Sequence, residues 1–272
     1  MLSFRDAEQA VHLSRFFKTG PGQYGEGNRF LGIKVPVTRC VVQKMWSVCS
    51  PEQLDECLKS PWHEVRLAAL LTLVQQFRHA RGDQERQRCI VDFYLAHLEA
   101  VNNWDLVDLS CYELLGTWLL DKDASLLNDL ARDGRTIWEQ RIGMVSTMQF
   151  IRHDRLEDTY AIADLLLYHR HDLIHKAVGW LLRETGKRDG SRLRSYLTTV
   201  APLPSAQQHS DSGRTDQRTT VMPRYRMMPR TMLRYTIEKF PPEERMRYLK
   251  GEENRACSRT ALTKIVYLQQ KQ

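Results

Sequence analysis

Apolar residues recur every three to four positions along most of this 272-residue chain, and this spacing limits the possible folds more than any other feature. In one stretch, Val107, Cys111, Leu114 and Leu115 fall on one side of a helix with about 3.6 residues per turn. Runs that alternate apolar and polar residues, which are typical of half-buried strands, are almost absent. The sequence therefore predicts an all-α fold.

The predicted helices are also related to one another. Four segments each open with a polar residue and continue as an apolar helical run, and they begin at Arg66, Asp108, Arg141 and Lys176. Their spacings of 42, 33 and 35 residues suit a repeat of two helices. We predict a HEAT-like solenoid, an α-α superhelix that carries these four side chains on one concave face. The alternative is that the first residues of helices are simply polar.

The sequence predicts where several helices begin. Ser50, Pro51 and Gln53 fit an N-cap, a first-turn proline and the third member of a capping box. Ser60 followed by Pro61 repeats the first two of these features. Thr136 and Asp172 are further candidate N-caps.

Residues 18–33 break the helical pattern and contain five of the 14 glycines in the chain. Gly20, Gly22 and Gly25 reproduce the glycine spacing of a dinucleotide-binding fingerprint. That fingerprint requires a strand before it and a helix opening behind it, and the sequence predicts neither. We therefore exclude a dinucleotide site here, and no phosphate-binding P-loop sequence occurs either.

Two C-terminal segments depart from the repeat. Residues 201–222 are rich in Ser, Thr, Gln, Asp and Pro, which predicts a flexible insertion. Residues 251–272 are polar and only weakly periodic, so they form a tail for which no structure is predicted. We expect one repeat domain over residues 1–250 that the insertion interrupts.

Charge is distributed unevenly along the chain. Residues 1–182 carry 21 Lys and Arg against 24 Asp and Glu, whereas residues 183–272 carry 19 against 9. A basic C-terminal third favours a polyanionic partner, and the alternative is an ordinary solvated basic surface. No run of about 18 apolar residues occurs, and residues 1–6 lack the layout of a signal peptide. We expect a cytoplasmic protein without a membrane partner.

The clustered histidines give little support for a metal site. His171 and His175 could share a helix face near His169, but no second group of ligands accompanies them. No nucleophile elbow or comparable setting marks a catalytic serine or cysteine either. We therefore expect no metal and no cofactor.

Trp104 and Asp108 are a more informative pair. Residues four apart lie on one face of a helix, so an indole and a carboxylate would be neighbours there. Trp180 stands four residues after Lys176 in the last repeat. The alternative is that Asp108 is a plain helix-surface residue and Trp180 a core residue.

The chain resembles the AlkD-like DNA alkylation repair enzymes over residues 10–250. The resemblance rests on several long segments in the same order, which are KTGPGQYGEGNRFLGIKVPVTR, NNWDLVD, WEQRIGMVSTMQFIRH, HDLIHKAVGWLLRETGKRD and MPRTMLRYTIEKFP. The insertion at 201–222 and the tail after Gly251 depart from the family pattern.

The resemblance assigns roles to four positions. The catalytic carboxylate of the family falls on Asp108, and its two cleft tryptophans fall on Trp104 and Trp180. Its phosphate-binding arginine falls on Arg141. The resemblance also implies a HEAT-repeat glycosylase whose concave face binds DNA, without placing the damaged base in a pocket.

The implied reaction is hydrolysis of the N-glycosidic bond of positively charged alkylpurines, such as N3-methyladenine and N7-methylguanine, in duplex DNA. No lysine replaces Asp108, so we expect a monofunctional enzyme that leaves an abasic site. We expect a monomer that associates with the nucleoid when bound to DNA. The side chains that we expect to contact phosphates, besides Arg141, are Arg66, Lys176, Arg183, Lys187 and Arg188.

Two other functions remain open at this point. One is a catalytically silent HEAT-repeat scaffold that binds nucleic acid or protein through the same face. The other is excision of bulkier or minor-groove adducts. The retained carboxylate favours an enzyme, because a surface that only binds phosphates gains nothing from an anion at its centre.

Overall fold

Helices make up nearly all of the regular structure in residues 1–202 and 221–251, which the computed structural model describes. The predicted all-α fold is confirmed. In chain order the helices are α1 Ala7–Phe16, α2 Val35–Met45, α3 Pro51–Leu58, α4 His63–His79, α5 Gln84–Ala96, α6 Trp104–Asp108, α7 Ser125–Asp133, α8 Ile137–Ser146, α9 Met148–Arg152, α10 Glu157–Leu165, α11 Asp172–Arg188, α12 Gly190–Thr198, α13 Arg224–Met227, α14 Arg230–Thr236 and α15 Pro242–Lys250. Short 3-10 turns lie at Leu2–Phe4 and Leu98–Ala100, and a π-helical turn lies at Tyr112–Gly116.

Two short strands flank the predicted insertion. β1, Val200–Pro202, pairs antiparallel with β2, Val221–Pro223, so the ends of the 201–222 segment are tied together. Strands of three residues are too short to show an alternating pattern, which is why the sequence did not predict them. Residues 203–220 of the predicted insertion and residues 252–272 of the predicted tail lie outside the described residues.

The predicted helix starts are correct at two positions and wrong at two. Ser50 and Gln53 form the capping box, and Thr136 accepts the backbone N–H of Glu139. After Ser60 the helix begins only at His63, because the backbone at Trp62 forms an isolated parallel β-bridge with Arg29. At α11 the cap is one residue before Asp172, since His171 Nδ1 accepts the N–H of Leu173.

The four helices that carry the repeated polar positions are neighbours in space. α4 packs on α6, α6 on α8, and α8 on α11. Asp108, Arg141 and Lys176 each occupy the fifth position of their helix, and Arg66 occupies the fourth. The regular order of neighbours agrees with a helical-repeat fold, in which one apolar core runs from Val42 on α2 to Tyr248 on α15.

The glycine-rich segment folds back onto α4 and α6. The buried carboxylate of Glu64 accepts three consecutive backbone N–H groups, those of Leu31, Gly32 and Ile33. Gly32 has a φ of +83°, and a Cβ there would lie 1.9 Å from the carbonyl oxygen of Asp6, so only glycine fits. Helix α1, and not a strand, precedes this segment, so the described structure gives it no dinucleotide-binding geometry.

Across residues 1–202 and 221–251, no helix is both long enough and apolar enough to span a membrane.

Candidate active site

Helix α6 places an aromatic ring and a carboxylate side by side. The side chain of Asn103 accepts the N–H of Trp104, which fixes the first turn of this five-residue helix. Asp108 is the last residue of α6, one turn after Trp104. Both side chains are partly exposed, so both reach the protein surface.

Arg141 on α8 binds Asp108 through two parallel hydrogen bonds. Arg141 Nε lies 2.9 Å from Asp108 Oδ1, and Nη2 lies 2.8 Å from Oδ2. The third nitrogen, Nη1, donates to the carbonyl oxygen of Leu173 on α11 at 2.5 Å. This two-bonded geometry is the strongest and most directional form of a carboxylate ion pair. The carboxylate is therefore held in one orientation by three successive repeat helices.

Burial raises the pKa of Asp108 above the usual aspartate value, and the charge and hydrogen bonds of Arg141 oppose this rise. Without the guanidinium, this partly desolvated carboxyl group would be harder still to ionise. Arg141 therefore stabilises the charged form of Asp108.

Aromatic rings from the end of α1 and the following loop pack around Trp104. Phe17 stacks on Trp104, with ring centroids 5.2 Å apart and an interplanar angle of 21°. Phe16 meets Trp104 edge to face at 5.9 Å. The indole of Trp104 lies close enough to the hydroxyl of Tyr24 to oppose the rise that burial causes in the pKa of Tyr24. The orientation of Trp104 is thus set by three aromatic residues of the N-terminal segment.

Tyr24 is a site residue that the sequence analysis missed. Its ring contacts Trp138 on α8 edge to face at 6.0 Å, and its hydroxyl donates to the carbonyl oxygen of Phe16 at 3.4 Å. Lys176 on α11 lies close enough to lower the pKa of Tyr24, although burial raises it more. The available signal was an aromatic residue inside a glycine-rich loop, a setting that often carries function.

Helix α11 carries Lys176 and Trp180. Lys176 Nζ lies 2.7 Å from Asp172 Oδ2, and this hydrogen bond raises the pKa of Lys176. Trp180 is one turn further along the same helix and is partly buried against the core. Gly179 lets α14 approach closely here, because a Cβ at this position would lie 2.5 Å from Tyr235 Cβ.

Known proteins resemble this chain in sequence and in fold. The sequence profile of the DNA alkylation repair enzyme family matches residues 1–240. The chain belongs to the DNA alkylation repair enzyme family. A solved structure described as a predicted DNA alkylation repair enzyme from Enterococcus faecalis superposes with a TM-score of 0.59 at 14% identity, and the match covers 89% of this chain and 100% of that chain. At this identity the match shows a shared fold. A search of curated protein sequences found no match.

Membership of the DNA alkylation repair enzyme family places the chain among DNA repair enzymes, and DNA binding is implied with it. The structure brings Trp104, Asp108 and Arg141 into one cluster, and the charge of Lys176 on α11 influences Tyr24, which packs on Trp138 of α8.

Arg66, which the sequence groups with these residues, lies inside the protein. Its side chain is buried, and it donates to the carbonyl oxygen of Ser60, the side-chain oxygen of Asn28 and the side-chain oxygen of Asn102. Burial lowers the pKa of Arg66. Because Asn102 lies just before α6, Arg66 holds the loop that leads into Trp104.

The other three basic residues that were predicted to contact phosphates lie at the surface near acidic partners. Arg183 pairs with Glu184 and Glu238, and Lys187 Nζ lies 2.6 Å from Glu184 Oε2. Arg188 Nη1 lies 3.7 Å from Asp154 Oδ1. A phosphate would therefore compete with a carboxylate at each of these side chains.

The histidines near α11 are bound within the protein. His169 Nε2 donates to the side chain of Gln140 at 2.9 Å, and His175 Nε2 donates to the carbonyl oxygen of His169 at 2.5 Å. Burial lowers the pKa of His169 and of His171, which favours their neutral forms. In the part of the chain that the structure describes, no group of three His, Cys, Asp or Glu side chains could hold a metal ion.

Proposed function

We propose that this protein is a monofunctional DNA glycosylase that hydrolyses the N-glycosidic bond of positively charged alkylpurines in duplex DNA. The observation that carries the proposal is the Asp108 carboxylate, which Arg141 holds through two hydrogen bonds beside the indole of Trp104. Membership of the DNA alkylation repair enzyme family supports the choice of substrate class.

The chemistry of the lesion explains why a lone carboxylate is sufficient. An alkylated purine already carries a positive charge, so it leaves as a neutral base without a general acid. As the bond lengthens, positive charge moves onto the deoxyribose, and an anion beside the sugar stabilises the transition state. Asp108 keeps free lone pairs on both oxygens after binding Arg141, so it can also orient the attacking water.

The tryptophans act on the same developing charge. The face of an indole attracts a cation with about 0.5–2 kcal/mol, depending on how far water is excluded. Trp104 is already oriented by the stacked ring of Phe17. We assign Trp104 and Trp180 to packing against the deoxyribose, so that they favour its charged form over the ground state.

We place the phosphate contacts on Arg141, Lys176, Arg183, Lys187 and Arg188. Arg141 is only 5% exposed, but it lies directly against Asp108 and keeps N–H groups that neither Asp108 nor Leu173 uses, so we place the phosphate next to the reacting sugar on these groups. Arg66 is buried to the same degree, but it bonds Asn28, Asn102 and Ser60 and not Asp108, so we assign it to supporting α6 and not to binding DNA. Because these side chains contact phosphates and not bases, we expect weak preference for DNA sequence and an affinity that falls steeply as the salt concentration rises.

Release of N3-methyladenine and N7-methylguanine from methylated duplex DNA tests the proposal directly. We expect release by the unmodified protein without added metal, and a loss of about 100-fold or more for Asp108→Asn, with DNA affinity retained. Asp164→Asn is the matched control, because Asp164 is held by Arg224 in the same two-bonded manner at 2.7 and 2.9 Å. DNA binding without base release by any variant would instead support a catalytically silent scaffold.

A further inference from the structure

The end of α1 presents an exposed aromatic ring at the edge of the candidate active site. Phe16 is 56% exposed, although its ring lies 5.9 Å from that of Trp104. Arg15 and Lys18 flank it and are also exposed. A phenyl ring facing water between two cations is poorly explained by folding, because burying it would be favourable.

We call residues 15–18 the elbow. Contacts made by Phe17 and Tyr24 hold its backbone against the protein. Phe17 is buried and stacks on Trp104 on one side and on Phe30 on the other, with the second pair 5.1 Å apart at an angle of 17°. The hydroxyl of Tyr24 donates to the carbonyl oxygen of Phe16, and Lys18 adopts a φ of +52° that ends the helix. The backbone of the elbow is therefore held in place, and the ring of Phe16 meets that of Phe17 edge to face at 5.1 Å.

The charges of the elbow differ from those on α11. Arg15 and Lys18 form no ion pair within residues 1–202 and 221–251, whereas Lys176, Arg183 and Lys187 each pair with a carboxylate. Residues 1–45 as a whole carry 7 Lys and Arg against 3 Asp and Glu. Lys18 Nζ lies 5.9 Å from the centre of the Tyr24 ring, a contact that a phosphate need not displace. An anion approaching the elbow displaces no carboxylate, so both cations can bind phosphates.

We propose that the elbow is a second contact with duplex DNA, in which Phe16 packs against the sugar and base edge beside the reacting nucleotide and Arg15 and Lys18 bind the flanking phosphates. Apolar side chains that enter the minor groove in this way separate neighbouring base steps. Successive nucleotides rise by about 3.4 Å along a strand, so a ring 5.9 Å from Trp104 reaches the neighbour of the nucleotide that Trp104 would contact. This inference rests on the proposed function, which places the reacting sugar at Trp104 and Asp108.

Fluorescence anisotropy with a labelled duplex that contains one tetrahydrofuran abasic analogue tests the aromatic contact. Loss of one aromatic contact to a base lowers affinity by about 1–3 kcal/mol, so Phe16→Ala should weaken binding by at least about fivefold. Phe16→Tyr keeps the ring and should bind within about twofold of the unmodified protein. Phe4→Ala is the matched control, since Phe4 is 53% exposed and belongs to the separate turn Leu2–Phe4. Equal binding by Phe16→Ala and Phe4→Ala would overturn the aromatic contact.

The salt dependence of binding tests the two cations separately. Each phosphate contact contributes about 0.9 to the slope of log K against log salt concentration, so Arg15→Gln combined with Lys18→Gln should reduce that slope by about 2. Phe16→Ala should leave the slope unchanged, because an apolar contact releases no counterions. An unchanged slope in the double variant would overturn the phosphate contacts.

Base release separates failure of this inference from failure of the proposed function. If the unmodified protein releases methylated bases and Phe16→Ala binds DNA normally, only the elbow contact is wrong. If the unmodified protein releases none, and Phe16→Ala still weakens binding by fivefold or more, the elbow contact holds and the glycosylase activity is wrong.

Discussion

Arg141 and Asp108 are joined by two parallel hydrogen bonds of 2.9 and 2.8 Å, which connect α8 to α6. The sequence resemblance gives these residues separate tasks, with the arginine on a phosphate and the carboxylate on the sugar. Their direct contact adds a third task, because the guanidinium fixes the orientation of the carboxylate and favours its ionised form. Loss of Arg141 should therefore affect the chemistry as well as DNA binding.

The pH dependence of base release should reveal this coupling. Asp108 must be ionised to stabilise the sugar, and burial raises its pKa, so activity should rise with pH to a plateau through a pKa above the usual aspartate value of about 4. Arg141→Lys keeps the charge but loses the two-bonded geometry, so it should raise the pKa of Asp108 further and move the acid limb to higher pH. The measurement is kcat/KM against pH for both proteins.

The control for this shift is Arg224→Lys, which weakens the equivalent pair with Asp164 and should leave the acid limb in place. A shift of the limb to lower pH in Arg141→Lys would contradict the argument.

The same raised pKa of Asp108 affects protein stability with the opposite dependence on pH. The folded state holds an extra proton between the unfolded and folded pKa values of Asp108, so the contribution of this group to the free energy of unfolding falls as the pH rises through that range.

A buried pair beneath the site should contribute strongly to stability. His63 Nε2 lies 2.8 Å from Asp105 Oδ2, and their side chains are 2% and 8% exposed. Asp105→Asn removes one side of a buried polar pair, so it should lower the free energy of unfolding by about 3 kcal/mol in urea denaturation.

A surface pair of the same type provides the control for that measurement. His97 Nε2 lies 2.9 Å from Asp55 Oδ1, where the aspartate is 32% exposed. Asp55→Asn should cost less than about 1 kcal/mol, because water screens and replaces the interaction. Equal costs for Asp105→Asn and Asp55→Asn would show that burial does not strengthen the His63 pair.

The close approach of α11 and α14 makes a prediction about packing near Trp180. A Cβ on Gly179 would lie 2.6 Å from the carbonyl oxygen of Met232, so Gly179→Ala must push the helices apart and should cost about 1–3 kcal/mol. At Gly190 the nearest atom is the end of the flexible Arg194 side chain, at 3.0 Å, so Gly190→Ala should be neutral or slightly stabilising. Thermal denaturation compares the two variants, and a lower Tm for Gly190→Ala than for Gly179→Ala would refute this reading of the packing.

The parts of the structure that local sequence determines could be predicted. The Ser50 cap and the shared face of Trp104 and Asp108 depend only on residues a few positions away. The surroundings of Arg66 could not be predicted, because Asn28 and Asn102 reach it from distant parts of the chain. Arg66 and Arg141 occupy similar positions in the sequence repeat. In the structure, however, Arg66 bonds the side-chain amides of Asn28 and Asn102, whereas Arg141 bonds the carboxylate of Asp108.

Tyr24 and Phe16 show the same limit for the candidate site. Their neighbours Trp104 and Trp138 lie at least 80 residues away along the chain, so only the folded N-terminal segment brings them together. The helical period predicts which side of α6 is functional, but it contains no information on which loop covers that side.

Lys176 offers the sharpest test of whether the enzyme leaves a plain abasic site. A lyase step needs an uncharged amine that attacks the sugar as a nucleophile. The hydrogen bond from Lys176 to Asp172 raises the pKa of the amine, so Lys176 is protonated at neutral pH and cannot attack. Borohydride should therefore trap no covalent complex between the protein and methylated DNA.

Replacement of the same lysine separates DNA binding from chemistry. Lys176→Gln should weaken DNA binding by removing one phosphate contact while leaving kcat within about threefold, since no bond is made to the amine. Lys59→Gln is the matched control, because Lys59 pairs with Asp55 four residues away at 2.6 Å, just as Lys176 pairs with Asp172. A borohydride adduct that forms with the unmodified protein and with Lys59→Gln, but not with Lys176→Gln, would identify Lys176 as a nucleophile and make the enzyme a lyase.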